Sequence, residues 1–163
     1  MNKLALALLL SATAAVQAAN ATECHLTISA TDQMQFDQRE LLVPTSCTEV
    51  ELSLVHTGKS TGIAMAHDWV LARTNDVSAL AQAGMAAGAT HDYQPSNDPR
   101  IIAATKLIQG GGTASVRFSV AALKNGGDYT FFCSSPGHAT MMKGKFIIGG
   151  KADVLATRNN DSR

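Results

Sequence analysis

Cys133, His138 and Met142 place a thiol, an imidazole and a thioether within ten residues, in the order Cys-x4-His-x3-Met. Soft sulfur donors combined with imidazole suit copper. The run reads Cys133-Ser134-Ser135-Pro136-Gly137-His138-Ala139-Thr140-Met141-Met142, and Pro136-Gly137 supplies a turn that folds His138 back toward Cys133. A trigonal centre of two histidines and one cysteine needs a second imidazole. The candidates are His25, His56, His67 and His91. His67 is best placed, because Ala64-Met65-Ala66-His67-Asp68-Trp69-Val70 carries a loop into a strand. His91 lies in a polar loop, His25 sits beside Cys24, and His56 ends a strand. Each piece alone has a plainer explanation. A lone exported cysteine is usually disulfide-bonded, a strand histidine is usually structural, and paired methionines fill cores. Type, order and spacing together are what point to a metal.

These residues need rigid elements beneath them. Cys24–Ala30 alternates as a strand should, Met34–Phe36 and Leu41–Val43 give short extended pieces, and Val50–His56 puts Val50, Leu52 and Leu54 on one face. Thr57–Gly62 is a loop, and Asp68–Ala72 reads as the next strand. Asn75 to Ala87 is rich in Ala and Leu and predicts one helix, capped by Thr74 or Asn75 and ending near Gly84 and Gly88. Ile101–Ile108 reads as a strand pair or one bent strand, and Gly110-Gly111-Gly112 breaks it. Ala114–Val120, Tyr129–Cys133 and Lys145–Ile148 follow as strands, with a turn at Asn125-Gly126-Gly127. About eight short strands with one helical insert predict an all-β Greek-key sandwich. The thiolate would stand at the end of a strand, and a ligand from a distant strand would join the two halves of the sandwich through the metal. Trp69 reads as core.

The 163-residue chain has zero formal net charge and 45% hydrophobic residues, which fits one domain with appendages. No basic stripe exists to neutralise phosphates, so nucleic acid is not an expected partner. The start is polar and positive at Asn2-Lys3, purely Leu and Ala from Leu4 to Leu10, then small residues, with cleavage acceptable after Ala18 or Ala21. That is a secretory signal peptide over 1–21, and its apolar run is too short to span a bilayer. The domain occupies 22–149, and 150–163 reads as a flexible tail without aromatics. Export makes the three cysteines informative. The simplest pairing joins Cys24 to Cys47 and leaves Cys133, a free thiol that an oxidising compartment tolerates only if buried or metal-bound.

The copper loop resembles that of the azurins in sequence and in length. The likeness runs from about Thr22 to Ile148 and includes Glu23-Cys24, Asp32–Phe36, Ser46-Cys47, His67 with Trp69-Val70-Leu71, Gly84-Met85-Ala86, Thr105–Ile108 and Phe131-Phe132-Cys133. It implies an eight-stranded Greek-key sandwich with a helical flap, a Cys24–Cys47 disulfide, and one copper ion held in a plane by His67, Cys133 and His138. It implies weak axial donors from the Met142 sulfur and the Ala66 carbonyl. Three departures stand out. Ala66 replaces the usual Gly and needs a compatible backbone. Asp68 replaces an Asn that ties the ligand loops together, and a carboxylate cannot donate as an amide does. Ser135 replaces a frequent aromatic, making the surroundings more polar. The backbone N–H groups of Asp68 and Ser135 are expected to donate to the Cys133 sulfur.

The resemblance implies reversible one-electron transfer, Cu(II) to Cu(I), in the periplasm. His138 would be the port for electrons, ringed by a docking patch of Met34, Met65, Met85, Pro136, Ala139 and Met141. Partners would be redox proteins such as c-type cytochromes or periplasmic reductases, met by a monomer or weak oligomer. A copper oxidase or reductase would need an open position or further ligand clusters, and the chain has no His-x-His motif, so no enzyme is expected. Copper storage or delivery is the alternative, a metal-free binding module leaves Cys133 unexplained, and zinc could occupy the same donors without redox chemistry. His56 is a candidate for a buried histidine near the site.

Overall fold

The computed structural model describes residues 22–150. The signal peptide and all of the tail beyond Gly150 lie outside the described residues. The chain forms strands β1 (Glu23–Thr31), β2 (Gln35–Phe36), β3 (Glu40–Val43), β4 (Glu49–His56), β5 (Val70–Arg73), then helix α1 (Val77–Ala87), then β6 (Ala103–Ala104), β7 (Thr113–Ser119), β8 (Tyr129–Phe132) and β9 (Lys143–Ile148). They make a four-stranded sheet ordered β2-β1-β4-β7 and a five-stranded sheet ordered β3-β9-β8-β5-β6. Two of the nine segments, β2 and β6, are only two residues long. The β-sandwich with a single helix agrees with the sequence reading.

The alternating strands bury what their pattern demands. Val50, Leu52 and Leu54 of β4 are fully buried and share the core with Trp69, Phe131 and Phe146, with Phe118 of β7 beside Val50 on the same sheet. The Trp69 ring lies 5.9 Å from that of Phe118 and 6.1 Å from those of Phe131 and Phe146. Each such side chain withdrawn from water contributes about 2 kcal/mol. Strand β8 is buried at every position, because helix α1 covers the outer face of its sheet. Val70, Ala72, Leu80 and Phe132 form a second apolar cluster there, with Val77 and Ala81 from the helix packed against it. Burial on both faces makes β5 and β8 the firmest supports available to any side chain just beyond their ends.

Helix α1 begins later than its composition suggested. A 3-10 turn over Thr74–Asp76 leads into it, the cap is Asp76, and no side chain caps it. The Thr74 hydroxyl instead donates to Asp128 Oδ1 at 2.8 Å, tying the turn to the start of β8. The helix ends at Gly88, whose positive φ of 75° and N–H bond to the Gly84 carbonyl close the last turn. Gly84 faces the loop that follows, and a Cβ there would collide with the Tyr93 carbonyl.

The stretch 101–108, read from sequence as a strand pair or one bent strand, forms only a two-residue strand and an isolated bridge. Only Ala103–Ala104 pairs with β5, and Ile108 returns to make an isolated bridge with His67. The cause is Thr105, whose hydroxyl accepts the Trp69 N–H at 3.0 Å and takes the place of a ladder bond.

Candidate metal centre

Cys133 follows the last residue of β8, and His67 stands three residues before β5, its paired neighbour. Both therefore come from one sheet. The expectation that the metal would join the two halves of the sandwich is corrected accordingly. The sheets meet through the His67 ring instead. Its Nε2 lies 2.9 Å from the Thr31 carbonyl at the end of β1, and its face stacks on His56 at the end of β4, with centroids 4.6 Å apart. A carbonyl only accepts, so Nε2 carries the proton and Nδ1 presents a lone pair. The backbone of His67 is clamped by two 2.8 Å bonds with Ile108.

That lone pair faces two further donors. His67 Nδ1 lies 3.2 Å from His138 Nδ1 and 3.8 Å from Cys133 Sγ, and His138 Nδ1 lies 3.5 Å from the same sulfur. The three atoms lie within 4.8 Å of one another. His67 and Cys133 are fully buried and His138 is 4% exposed. Burial holds the His67 pKa down to about 4, with repulsion from His56 and His138 adding to it, and lowers that of His138. Burial beside the Asp68 carboxyl pushes the Cys133 thiol up. Two imidazoles and a sulfur converging in a buried pocket present electron pairs that a proton or a cation can satisfy. One soft sulfur and two imidazoles fit copper.

The loop between β8 and β9 is held by its own backbone. Cys133 N–H donates to Met142 O at 3.0 Å, His138 N–H to Ser135 O at 3.0 Å, and Met142 N–H to His138 O at 2.8 Å. Gly137, with φ of 82°, makes the turn that returns His138 to the sulfur. Met142 is fully buried in the core beside Cys133. Ala66 has φ −76° and ψ 142°, extended backbone open to any residue, so the Gly-to-Ala departure costs nothing there.

Asp68 is fully buried and does tie the ligand segments together, but by accepting. Its carboxylate takes the Ser134 N–H at 2.7 Å, the Ser134 hydroxyl, and Gln94 Nε2 at 2.8 Å. Desolvation raises its pKa, and the Ser134 and Gln94 donors oppose that rise. Gln94 also donates to the Thr105 carbonyl at 2.9 Å. Sequence reasoning missed Ser134 and Gln94. Ser134 could have been suspected from its place beside Cys133, whereas Gln94 carries no local signal. The Ser135 hydroxyl donates to the Ala66 carbonyl at 2.7 Å. His56 is pinned as the Nε2-protonated tautomer, with Nε2 2.9 Å from Met65 O and Nδ1 accepting the Gly58 N–H at 3.1 Å.

Among the other candidates, His25 and His91 are exposed and are not part of the His67, Cys133 and His138 group. His25 belongs to a group with Glu23 and Glu51 whose carboxylates already pair with Arg117. Cys24 and Cys47 form a disulfide, and Cys133 is the free cysteine. Of the six patch residues, Met85, Pro136 and Met141 are exposed, whereas Met34, Met65 and Ala139 are half-buried. His138, the expected port for electrons, keeps only a small part of its surface exposed. Ile63, 49% exposed on the turn before Ala66, is an apolar surface residue that sequence reasoning overlooked.

Residues 22–149 match the family described as copper binding proteins of the plastocyanin/azurin family. The azurin of Bordetella pertussis is 48% identical over 124 residues, covering 76% of this chain and 83% of the relative. The azurin of Alcaligenes faecalis is 45% identical over 126 residues, covering 77% and 98%. The solved structure of the Az-iso2 azurin of Methylomonas sp. strain J superposes with a TM-score of 0.75 at 39% identity, covering 78% of this chain and 98% of that one. With a family match over 22–149, the same fold and a buried pair of imidazoles around a free thiol, the chain belongs to the plastocyanin/azurin family of copper-binding proteins.

Proposed function

We propose that this protein is a periplasmic one-electron carrier whose copper would be held by His67 Nδ1, Cys133 Sγ and His138 Nδ1, with Met142 Sδ and the Ala66 carbonyl as weaker donors. The observation that carries the reading is the convergence of the two Nδ1 atoms and the sulfur within 4.8 Å in a buried pocket. When bound, copper supplies the Cu(II)/Cu(I) couple of a blue type 1 centre. The chain supplies the rest. Thr31 fixes the His67 tautomer and Ile108 fixes its backbone. Trp69, Phe131 and the rest of the core keep water out beneath the site. Loop bonds hold His138 and Met142 in place whichever charge the centre carries, which keeps reorganisation small.

The ligand residues are buried, which favours electron transfer over storage or delivery, functions that need exposed and labile ligands. No enzymatic step is assigned. Electrons would enter through the face carrying Ile63, Met85, Pro136 and Met141, with Met34, Met65 and Ala139 at its margins. Its apolar, Met-rich character suits brief contacts with small redox proteins such as c-type cytochromes or periplasmic reductases. The signal peptide at 1–21 would bring the 22–149 domain and its 150–163 tail to that compartment. Among the described residues no helix is long and apolar enough to cross a membrane.

The test is optical. The copper-loaded protein should show an intense blue absorption that Cys133→Ser removes. Survival of the band in that variant would overturn the assignment.

A further inference from the structure

We propose that the Ser135 hydroxyl is a positioning residue that, by holding the Ala66 carbonyl, biases this centre against hard divalent ions such as Zn2+ and toward the reduced state of copper. The proposal rests on the ligand assignment above and extends it to a group that touches no metal.

The geometry is specific. Ser135 lies two residues after Cys133, and Ala66 immediately precedes His67. The serine Oγ donates to the Ala66 oxygen at 2.7 Å across 69 positions of sequence. Ser135 is 2% exposed and Ala66 is fully buried, so water does not compete for either partner. The bond links the two segments that carry the centre at the one backbone oxygen proposed as a donor.

A carbonyl oxygen has two lone pairs. A hydroxyl engaging one of them fixes the direction of the peptide and draws electron density from the other. The remaining donor strength toward a cation is lower. The loss does not fall equally on all ions. Oxygen donors suit harder ions, whereas a soft ion is satisfied by thiolate, thioether and imidazole. Zn2+ and Cu(II) therefore lose more than Cu(I). Ala66 needs no unusual backbone to present its carbonyl, so the hydroxyl, rather than strain, sets the strength of that donor.

One other contact must be separated from this one. Ser135 also stands close enough to Cys133 for its backbone and hydroxyl to oppose the rise of the thiol pKa. A hydroxyl acting through the sulfur would weaken the thiolate for every metal alike and would move the sulfur-to-copper absorption. A hydroxyl acting through Ala66 separates Zn2+ and Cu(II) from Cu(I) and alters the Ala66 carbonyl itself.

The experiment compares the full exported protein with Ser135→Ala and with Ser135→Thr, which keeps the hydroxyl. Three quantities are read: the 13C shift of the Ala66 carbonyl in metal-free protein, Zn2+ affinity by chelator competition, and the copper reduction potential. In Ser135→Ala the Ala66 carbon should move upfield and Zn2+ should bind about two- to tenfold more tightly, the range of one hydrogen bond. The Cu(I)-to-Cu(II) affinity ratio should fall by the same factor, and a tenfold fall is a drop of about 59 mV for one electron. Ser135→Thr should restore all three. An unmoved Ala66 carbon overturns the proposal, as does Zn2+ affinity within twofold of the parent. Equal changes for Zn2+ and Cu(I) with a displaced blue band also overturn it, by assigning the effect to the sulfur. The Cys133→Ser spectrum judges the ligand assignment separately, because Ser135 variants keep every proposed donor.

Discussion

His67 does the most at the scale of single residues. One ring nitrogen bonds Thr31 of the opposite sheet, the other faces Cys133 and His138, and the ring face stacks on His56. Full burial is the main reason its pKa falls to about 4. The unfolded chain has an ordinary histidine near 6.5, so protons bind the unfolded state more strongly. The stability contribution of a neutral His67 is therefore complete above about pH 6.5 and is lost as pH falls through about 4. In metal-free protein it amounts to about 3 kcal/mol at most. Asp68 acts with the opposite sign, since its raised pKa favours the fold at low pH and that gain is lost as pH rises. It is common to the parent and to a His67→Gln variant, so comparing the two isolates the histidine. Urea midpoints of the metal-free proteins between pH 7 and pH 4 should fall more steeply in the parent. Parallel curves would refute the account.

Elements explain why the site is where it is. The copper loop is short and bonded to itself, but its stiffness comes from β8 and β5, which are buried by the core on one side and by α1 on the other. Gly84 lets that helix sit close enough, because its missing Cβ leaves room for the Tyr93 carbonyl, one residue from Gln94 and its bond to Asp68. Gly84→Ala has a better intrinsic helix former and should still destabilise, by about 1–3 kcal/mol, since a backbone oxygen cannot step aside as a side chain can. Thermal unfolding would check this, and an unchanged or raised Tm would show that the helix seat is looser than described. Much of this level was legible in the sequence. Val50, Leu52 and Leu54 declared their face by alternation, and the order Cys133, His138, Met142 declared the metal loop. The 3-10 entry to α1 was not legible, because it depends on Thr74 finding Asp128 across the sheet. Nor was the broken strand at Thr105, whose hydroxyl takes a bond that backbone normally takes. Gln94 was invisible for the same reason. Its role exists only because Asp68, 26 residues away, is brought to it by the fold.

At the scale of the molecule, the Cys24–Cys47 disulfide and the contacts that hold His67 lie at opposite ends of the β1–β4 pair. Strand β1 pairs in parallel with β4 from Glu23 opposite Glu49 to Ala30 opposite His56. The Cys24–Cys47 disulfide closes the near end, whereas Thr31 and His56 meet His67 at the far end. Seven residue steps of extended chain lead from Cys24 to Thr31, roughly 23 Å at about 3.3 Å per step. The disulfide bridges a sequence separation of 23, and removing such a link frees the unfolded chain by about 3 kcal/mol. The rigid sheet between the two ends should not transmit that loss to the ligands. A Cys24→Ala/Cys47→Ala double variant is therefore expected to unfold at lower denaturant concentration by about 3 kcal/mol, while the blue band of the folded protein keeps its position and intensity. Equilibrium unfolding and the absorption spectrum test the two halves of this statement separately. A displaced band would mean that the strand pairing carries strain to the metal loop. An unchanged midpoint would mean that the unfolded chain is already held compact near its start.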